Sequence, residues 1–147
     1  MSSDLEWLLL RQNNSFIVKR VPEGPIFSKE AGNLVNIHSQ KYSGLANART
    51  VDVRPSPNGI AITHRKGKAP PRAVRPAYAT NTIGSRTGPR RALGIAAQAA
   101  RRNYRPDLRA ATLARVSALI AARKEPKPTP QKKVRGKKAK EIAQVSV

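Results

Sequence analysis

The chain has 147 residues, and its 29 Lys and Arg against 8 Asp and Glu give a formal net charge of +21. Such self-repulsion destabilises a compact state unless a polyanion neutralises it, and an aromatic content of 4% argues against a large packed core. The absence of cysteine excludes a disulfide scaffold, a cysteine zinc site and a thiol nucleophile, and no apolar run approaches the ~18 residues of a membrane span.

The charge is distributed unevenly along the chain. Residues 1–52 carry six basic and five acidic residues, for a net charge of +1, whereas residues 53–147 carry 23 basic and three acidic residues, for a net charge of +20. This asymmetry indicates a small folded head joined to a nucleic-acid-binding body. A tail that only improves solubility is the less favoured alternative. The first residues lack the basic region of a signal peptide.

The first predicted element is a short helix over residues 4–11. Ser3 and Glu6 have the spacing of a capping box, in which the two side chains satisfy each other's free backbone amides. Leu5, Leu8 and Leu9 fall on one helical face, and Trp7 beside them is expected to pack in the core rather than stack on RNA.

Short strands follow the helix. The β-branched and aromatic residues 15–19 predict one strand, and residues 26–27 begin another. Alternating apolar residues in 50–54 and 59–64 predict a hairpin, with Asn58-Gly59 as its turn signal. The predicted fold class is therefore α+β, with a head over residues 1–64 made of one helix and a small antiparallel sheet.

The remaining chain is predicted in three parts. Residues 65–88 read as an extended, proline-rich basic segment that follows phosphates. Residues 89–123 form two basic helices, the first from Pro89 to about residue 103 and the second starting at Pro106. Residues 124–147 are a basic tail whose composition is typical of disorder, and its Lys/Arg run suits a nuclear import signal or a nucleic-acid contact.

The second helix has an apolar arc of about 140° that also contains arginine. Arg109 and Arg123 lie inside the arc and Arg115 lies at its edge, whereas five alanines fill the opposite side. Two readings stay open and are compatible. Either the surroundings of the helix are partly RNA, or the arginine stems lie across a helix pair with their charged heads in water. The arc consists of Leu108, Leu113, Val116, Leu119 and Ile120.

The predicted RNA-binding residues are 18 of the 23 cations of the body, and Tyr78 is a separate candidate for base stacking. Arginines flanking the turn between the two helices are expected to converge on an rRNA backbone junction, unless Asp107 pairs with one of them. The full set is Arg65, Lys66, Lys68, Arg72, Arg75, Arg86, Arg90, Arg91, Arg101, Arg102, Arg105, Arg109, Arg115, Lys132, Lys133, Arg135, Lys137 and Lys138.

The sequence predicts no catalytic residues, no cofactor and no metal. His38 and His64 are the only histidines, and no close pair of acids suggests general acid–base catalysis. Residues 84–88 form a turn without the Lys-Ser/Thr that a phosphate-binding loop requires. We therefore predict that the protein is not an enzyme, and expect neither a small-molecule substrate nor a membrane partner.

Two stretches carry a resemblance to a known family. They are residues 41–53, Lys-Tyr-Ser-Gly-Leu-Ala-Asn-Ala-Arg-Thr-Val-Asp-Val, and residues 104–109, Tyr-Arg-Pro-Asp-Leu-Arg. With the Leu5-to-Val18 start, they resemble the eukaryotic large-subunit ribosomal protein family numbered twenty-eight, over roughly residues 3–123. The resemblance implies an RNA-bound α+β protein of the 60S subunit. Its partners would be large-subunit rRNA and neighbouring ribosomal proteins, and it would reach the cytosolic ribosome through the nucleus and nucleolus.

Two alternatives stay open. A related domain occurs in a nuclear ribosome-assembly factor, Mak-sixteen, although the absence of cysteine and the length of 147 residues favour the ribosomal protein. A general basic, chromatin-type nucleic-acid-binding protein also fits the composition, but arginine is concentrated in the predicted helices and the head has hairpin signals.

Overall fold

The computed structural model describes residues 2–70, 72–101, 104–125 and 128–129. Its architecture is α+β, as predicted. Short 3-10 turns occupy Gln40–Tyr42 and Pro106–Leu108. The helices and strands are α1 (Ser3–Leu10), β1 (Ile17–Lys19), β2 (Ile26–Ser28), β3 (Val51–Ser56), β4 (Gly59–Arg65), β5 (Tyr78–Gly84), α2 (Pro89–Arg101) and α3 (Arg109–Arg123).

The strands form two antiparallel sheets, one of β1 and β2 and one in the order β3-β4-β5. The predicted hairpin is confirmed as β3 and β4. Its turn lies one residue earlier than Asn58-Gly59, because Ser56 pairs with Gly59 and leaves Pro57 and Asn58 as the loop. Gly59 has φ +149°, and a Cβ built on it would lie 1.8 Å from the Ile83 carbonyl oxygen. The glycine therefore permits the close approach of β5 rather than forming the turn.

Strand β5 lies within residues 65–88, where the sequence predicts an extended basic segment but identifies no strand. It pairs with the whole of β4, from Gly59 opposite Gly84 to Arg65 opposite Tyr78. The sequence signal is weak because Ile83 is the only buried residue of β5. The backbone pairing with β4 therefore orders this strand more than side-chain burial does.

The core lies between one face of the three-stranded sheet and the two C-terminal helices. Alternate residues of β3 and β4 point inward, and opposite residues such as Val53 and Ile62 share that face. Leu34 is the one member from the chain before β3. The buried cluster consists of Leu34, Val51, Val53, Ile60, Ile62, Ile83, Ala92, Ala96, Leu108 and Val116.

The two predicted C-terminal helices are confirmed, and α3 buries a face centred on Leu108, Thr112 and Val116. The Thr112 hydroxyl donates to the Leu108 carbonyl at 2.9 Å, so the polar group is satisfied inside the core. Arg109 and Arg123, which the helical projection places inside the apolar arc, are exposed at the two ends of α3. In the described part of the chain, no helix is long and apolar enough to cross a membrane.

Helix α1 differs from its prediction in two respects. Its N-cap is Ser2, whose Oγ accepts from the Asp4 amide at 3.4 Å, so the predicted Ser3–Glu6 capping box is wrong by one residue. None of its residues is buried, and Leu8 is 64% exposed. Trp7 lies outside the core, half-buried, with its ring 4.8 Å from the ring of His38. The expected packing of Trp7 in the core is thus wrong, and the leucine face of α1 is exposed.

Candidate nucleic-acid interface

The three-stranded sheet has two ends, which we name after Arg65 and Gly84. At the Arg65 end, the Tyr104 hydroxyl accepts from the Thr50 amide at 3.0 Å and donates to the Arg65 carbonyl, so the connection between α2 and α3 lies there. At the Gly84 end, the Ser85 amide donates to the Asn58 carbonyl at 3.0 Å, which joins the residue after β5 to the β3–β4 turn. These contacts decide which predicted RNA-binding residues are neighbours.

The Arg65 end carries the cations of the loop between β4 and β5. Lys66, Lys68, Arg72 and Arg75 are exposed, and none of them pairs with a carboxylate in the described part of the chain. Arg65 itself is half-buried. These side chains are thus available to a polyanion.

The Gly84 end carries a second group, Arg86, Arg90 and Arg91, which are also exposed and make no ion pair with a described residue. Arg86 and Arg91 line a cleft of about 410 Å³ with Asn58. Because β5 spans seven residues, the two cationic ends are about 20 Å apart. The structure therefore divides the cations of residues 65–91 into two groups rather than one run.

Arg105 does not have the role expected for the arginines that flank the turn between the helices. These arginines are Arg101, Arg102, Arg105 and Arg109. The guanidinium of Arg105 donates to both Asp107 carboxylate oxygens, at 2.9 and 2.7 Å, and to the backbone carbonyls of Arg49 at 3.0 Å and Lys41 at 2.8 Å. This is the arrangement in which Asp107 pairs with one arginine, and it uses Arg105 to tie the turn to an earlier loop. The hydrogen bonds from Arg105 lower the pKa of the Asp107 carboxyl, because they favour its charged form.

The other three of these arginines are placed differently. Arg109 is exposed at the start of α3. The side chain of Arg101 and the whole of Arg102 lie outside the described residues, so their convergence with Arg109 stays a prediction. The predicted tail contacts at Lys132, Lys133, Arg135, Lys137 and Lys138 also lie outside the described residues.

Tyr104 and Arg105 connect the two stretches that carry the family resemblance. Arg105 binds the carbonyls of residues 41 and 49, and Tyr104 binds Thr50, so residues 104–109 are fastened to residues 41–53. Burial raises the pKa of the Tyr104 hydroxyl, and its hydrogen bonds with the Thr50 and Arg65 backbone oppose that rise in part. These motif residues hold the chain together rather than reach outward.

Glu30 is a further anchor of the fold, and it is a buried residue that no sequence pattern singled out. One carboxylate oxygen accepts from Asn14 Nδ2 at 2.6 Å, and the other accepts from Ser43 Oγ at 2.7 Å and the Gly44 amide at 3.0 Å. A Cβ on Gly44 would lie 1.7 Å from the Ala31 carbonyl oxygen, which explains the glycine. The sequence feature that could have identified it is an acid next to loops rich in Ser, Gly and Asn. The amide and hydroxyl donors of such loops need an acceptor, and a carboxylate can supply it.

Arg115 is half-buried on α3 and lines a cleft of about 490 Å³ with Arg20, Lys29, Asp52 and Arg54. Arg54 and Asp52 form an ion pair at 2.6 Å. Cations of the nearly neutral head thus reach one cleft together with a cation of the body, which the linear charge count does not reveal.

The described residues contain no group of three or more His, Asp or Glu side chains arranged to hold a metal ion. The Nε2 atom of His38 lies 2.9 Å from the Arg11 carbonyl, and the ring of His64 lies edge-on to Tyr104. Both histidines therefore have contacts within the fold.

Comparison with known proteins supports the resemblance. The model of the ribosomal L28e protein family matches residues 5–122. The chain is 34% identical over 131 residues to large ribosomal subunit protein eL28 of Schizosaccharomyces pombe, covering 86% of this chain and 96% of that protein. It is 35% identical over 130 residues to eL28 of Dictyostelium discoideum, covering 84% and 93%. For eL28 of Caenorhabditis elegans the identity is 37% over 82 residues, covering 56% and 61%.

Proposed function

Because the chain belongs to the ribosomal L28e protein family, we propose that it is a structural constituent of the large ribosomal subunit that binds rRNA and carries out no catalysis. The observation that carries the rRNA contact is the set of seven exposed cations at the two ends of the sheet. Those cations are left without carboxylate partners within the described residues. Self-repulsion of this kind is relieved by a polyanion.

Binding works through counterion release and shape. Each Lys or Arg that reaches a phosphate releases counterions from the RNA, so the affinity falls as salt rises. Arginine predominates at the Gly84 end, where its planar fork suits pairs of phosphate oxygens. The fixed spacing of the two ends on β5 selects phosphates about 20 Å apart, which a disordered polycation does not do.

The phosphate contacts we assign leave out three residues of the linear set, namely the half-buried Arg65 and Arg115 and the hydrogen-bonded Arg105. The donors of Arg105 are occupied by Asp107 and two backbone carbonyls, so Arg105 acts by holding the fold in shape for RNA. Arg109 beside it is exposed and reaches outward. Arg101, Arg102 and the lysines and arginine of residues 132–138 complete the proposed contacts.

The segment before β3 suits contacts with neighbouring ribosomal proteins. Leu5, Leu8 and Leu9 of α1 are between 48% and 64% exposed. Exposed apolar groups of this kind gain free energy by leaving water, which phosphates do not offer them. The protein would act in the cytosolic ribosome and would pass through the nucleus and nucleolus during assembly.

The test compares the full chain with the variant Lys66→Ala/Lys68→Ala/Arg72→Ala/Arg75→Ala. Binding is measured to a large-subunit rRNA fragment and to duplex DNA of equal charge across a salt series. We expect the parent to prefer the rRNA at ~150 mM salt, and the variant to lose about three to four units of the salt slope.

The control is Lys19→Ala/Arg20→Ala, which removes two exposed cations outside the proposed contacts and should leave the preference for rRNA unchanged. Indifference of the parent between rRNA and DNA would favour the general nucleic-acid-binding alternative. Absence of the parent chain from 60S fractions of a salt-washed sucrose gradient, with presence in pre-ribosomal fractions, would favour the assembly factor.

A further inference from the structure

We propose that the solvent face of the three-stranded sheet, at its Arg65 end, holds an unpaired nucleobase of rRNA stacked on the Tyr78 ring with the Arg65 guanidinium beside it. The proposal rests on the proposed function and assigns it a specific site. It concerns the face of the sheet opposite the hydrophobic core.

Strand register places the residues of this site on one face. Arg65 lies directly opposite Tyr78, and Thr63 lies opposite Thr80. Opposite residues of an antiparallel pair share a face, and successive residues alternate. Ile62 of β4 points into the core, so Thr63 and Arg65 point away from it toward solvent.

The pairing also brings Arg65 and Tyr78 close together. The Lys66 amide donates to the Ala77 carbonyl at 2.7 Å, which makes residues 66 and 77 a hydrogen-bonded pair. The next pair, Arg65 and Tyr78, is therefore of the non-hydrogen-bonded kind, in which side chains lie nearer to each other. The Arg65 backbone is fixed by the Tyr104 hydroxyl, so the site stands on a rigid element.

The Tyr78 ring is available to a ligand. It is 43% exposed, and no ring contact, cation contact or side-chain hydrogen bond engages it within the described residues. The other two tyrosines have partners, because Lys41 lies 5.6 Å from the ring centroid of Tyr42 and Tyr104 is hydrogen-bonded. Beside Tyr78 on this face lie the small side chains Thr63 and Thr80, whose hydroxyls are 3.0 Å apart.

The surrounding charge identifies the occupant as a nucleic acid. The loop that joins Arg65 to Tyr78 carries Lys66, Lys68, Arg72 and Arg75, which are exposed and unpaired in the described part of the chain. An apolar protein segment on Tyr78 would leave these four cations without counter-charge. A regular RNA duplex keeps its bases stacked inside the helix, so only an unpaired nucleotide presents a base to the ring.

The experiment measures binding of the full chain to a 12-nucleotide oligouridylate and to a 12-base-pair RNA duplex at ~150 mM salt. We expect Tyr78→Ala to weaken single-strand binding about fivefold or more, which is the lower limit of one base stacked on an aromatic ring. Duplex binding and both salt slopes should stay unchanged, because no cation is removed. Tyr78→Phe keeps the ring and should retain the parent affinity.

Two further variants keep the result interpretable. Tyr78→Val also removes the ring but keeps a residue that suits a strand, so it should show the same loss even if alanine weakens β5. Phe16→Ala removes an aromatic side chain of matched exposure, 44%, from the segment before β3, and should have no effect. Equal single-strand affinity of Tyr78→Val and the parent would overturn the stacking site and leave the proposed function intact. Failure of the parent to bind rRNA would overturn the proposed function instead.

Discussion

The described residues of the N-terminal segment (residues 2–48) and of the sheet–helix unit (residues 51–123) expose opposite kinds of side chain. Ten of the twelve large exposed hydrophobic residues lie before β3, whereas nine of the ten residues of the buried cluster lie in β3 or after it. The segment is held by polar contacts around Glu30, and the unit by apolar packing. Each region therefore offers solvent the kind of side chain that it does not use internally, apolar in the segment and cationic in the unit.

The largest expected effect concerns β5, which decides whether the sheet–helix unit is ordered without RNA. The amides of Ala79, Asn81 and Ile83 face β4, whereas those of Thr80 and Thr82 face the open edge. In RNA-free protein we expect exchange at the three inward amides to be slowed by about a thousandfold or more relative to the two outward ones. Hydrogen exchange read residue by residue by NMR measures this, and uniform fast exchange across 78–84 would contradict it.

The next effect tests the polar anchor of the N-terminal segment. Glu30→Ala leaves the donors of Asn14, Ser43 and Gly44 without their acceptor, and we expect a loss of about 3 kcal/mol in the free energy of unfolding. Urea denaturation provides the measurement. The exposed acid Glu23 supplies the control, since Glu23→Ala should change the value by less than ~0.5 kcal/mol. Similar free energies of unfolding for Glu30→Ala and Glu23→Ala would show that polar contacts of Glu30 do not hold the N-terminal segment.

The third effect compares two neighbouring arginines. We expect Arg105 to stabilise the fold and Arg109 to bind RNA. Arg105→Ala should cost about 2 kcal/mol of stability, because Asp107 and two carbonyls lose a charged donor, while leaving the salt slope of RNA binding unchanged. Arg109→Ala should change stability by less than ~0.5 kcal/mol and lower the slope by about one phosphate contact. The reverse result would make Arg105 the RNA ligand.

The pH dependence of the Arg105–Asp107 ion pair is expected to have a smaller effect on stability than the loss of Arg105. The pKa of Asp107 lies below its ordinary 3.8 in the folded protein, so its contribution is present above about pH 4 and is lost as pH falls through the lowered pKa. Because the side chain is 39% exposed, we expect less than about 1 kcal/mol. The stability difference between the parent and Asp107→Asn, measured by denaturation from pH 6 to pH 2, should shrink toward the acid end. A difference that is independent of pH would exclude the ion pair as its cause.

The smallest expected effect on stability is in α1. Leu8→Ser/Leu9→Ser replaces side chains that are 64% and 61% exposed, so the free energy of unfolding should change by less than ~0.5 kcal/mol. Incorporation into the large subunit should nevertheless fall, because the proposed protein contact loses its apolar groups. Unchanged recovery of the variant in 60S fractions would show that these leucines make no such contact.

Sequence alone determined the features that depend on neighbouring residues. Alternation predicts the β3–β4 hairpin, and proline predicts the starts of α2 and of the 3-10 turn that leads into α3. Charge predicts a nearly neutral first part of the chain and a strongly basic remainder. The family could also be identified from sequence, because residues 41–53 and 104–109 together are characteristic of it. The division of the chain into four parts and the individual RNA contacts stay predictions.

Only the tertiary structure decided the features that depend on residues distant in the chain. β5 is a strand because β4 supplies its hydrogen bonds, although its own sequence buries a single residue. Arg105 binds within the fold because the backbone carbonyls of Lys41 and Arg49 lie beside Asp107. Both of these residues are more than fifty positions from Arg105 in the sequence. Local propensity and charge carry no information about such partners, since a hydrogen bond depends on distance in space and not on separation along the chain.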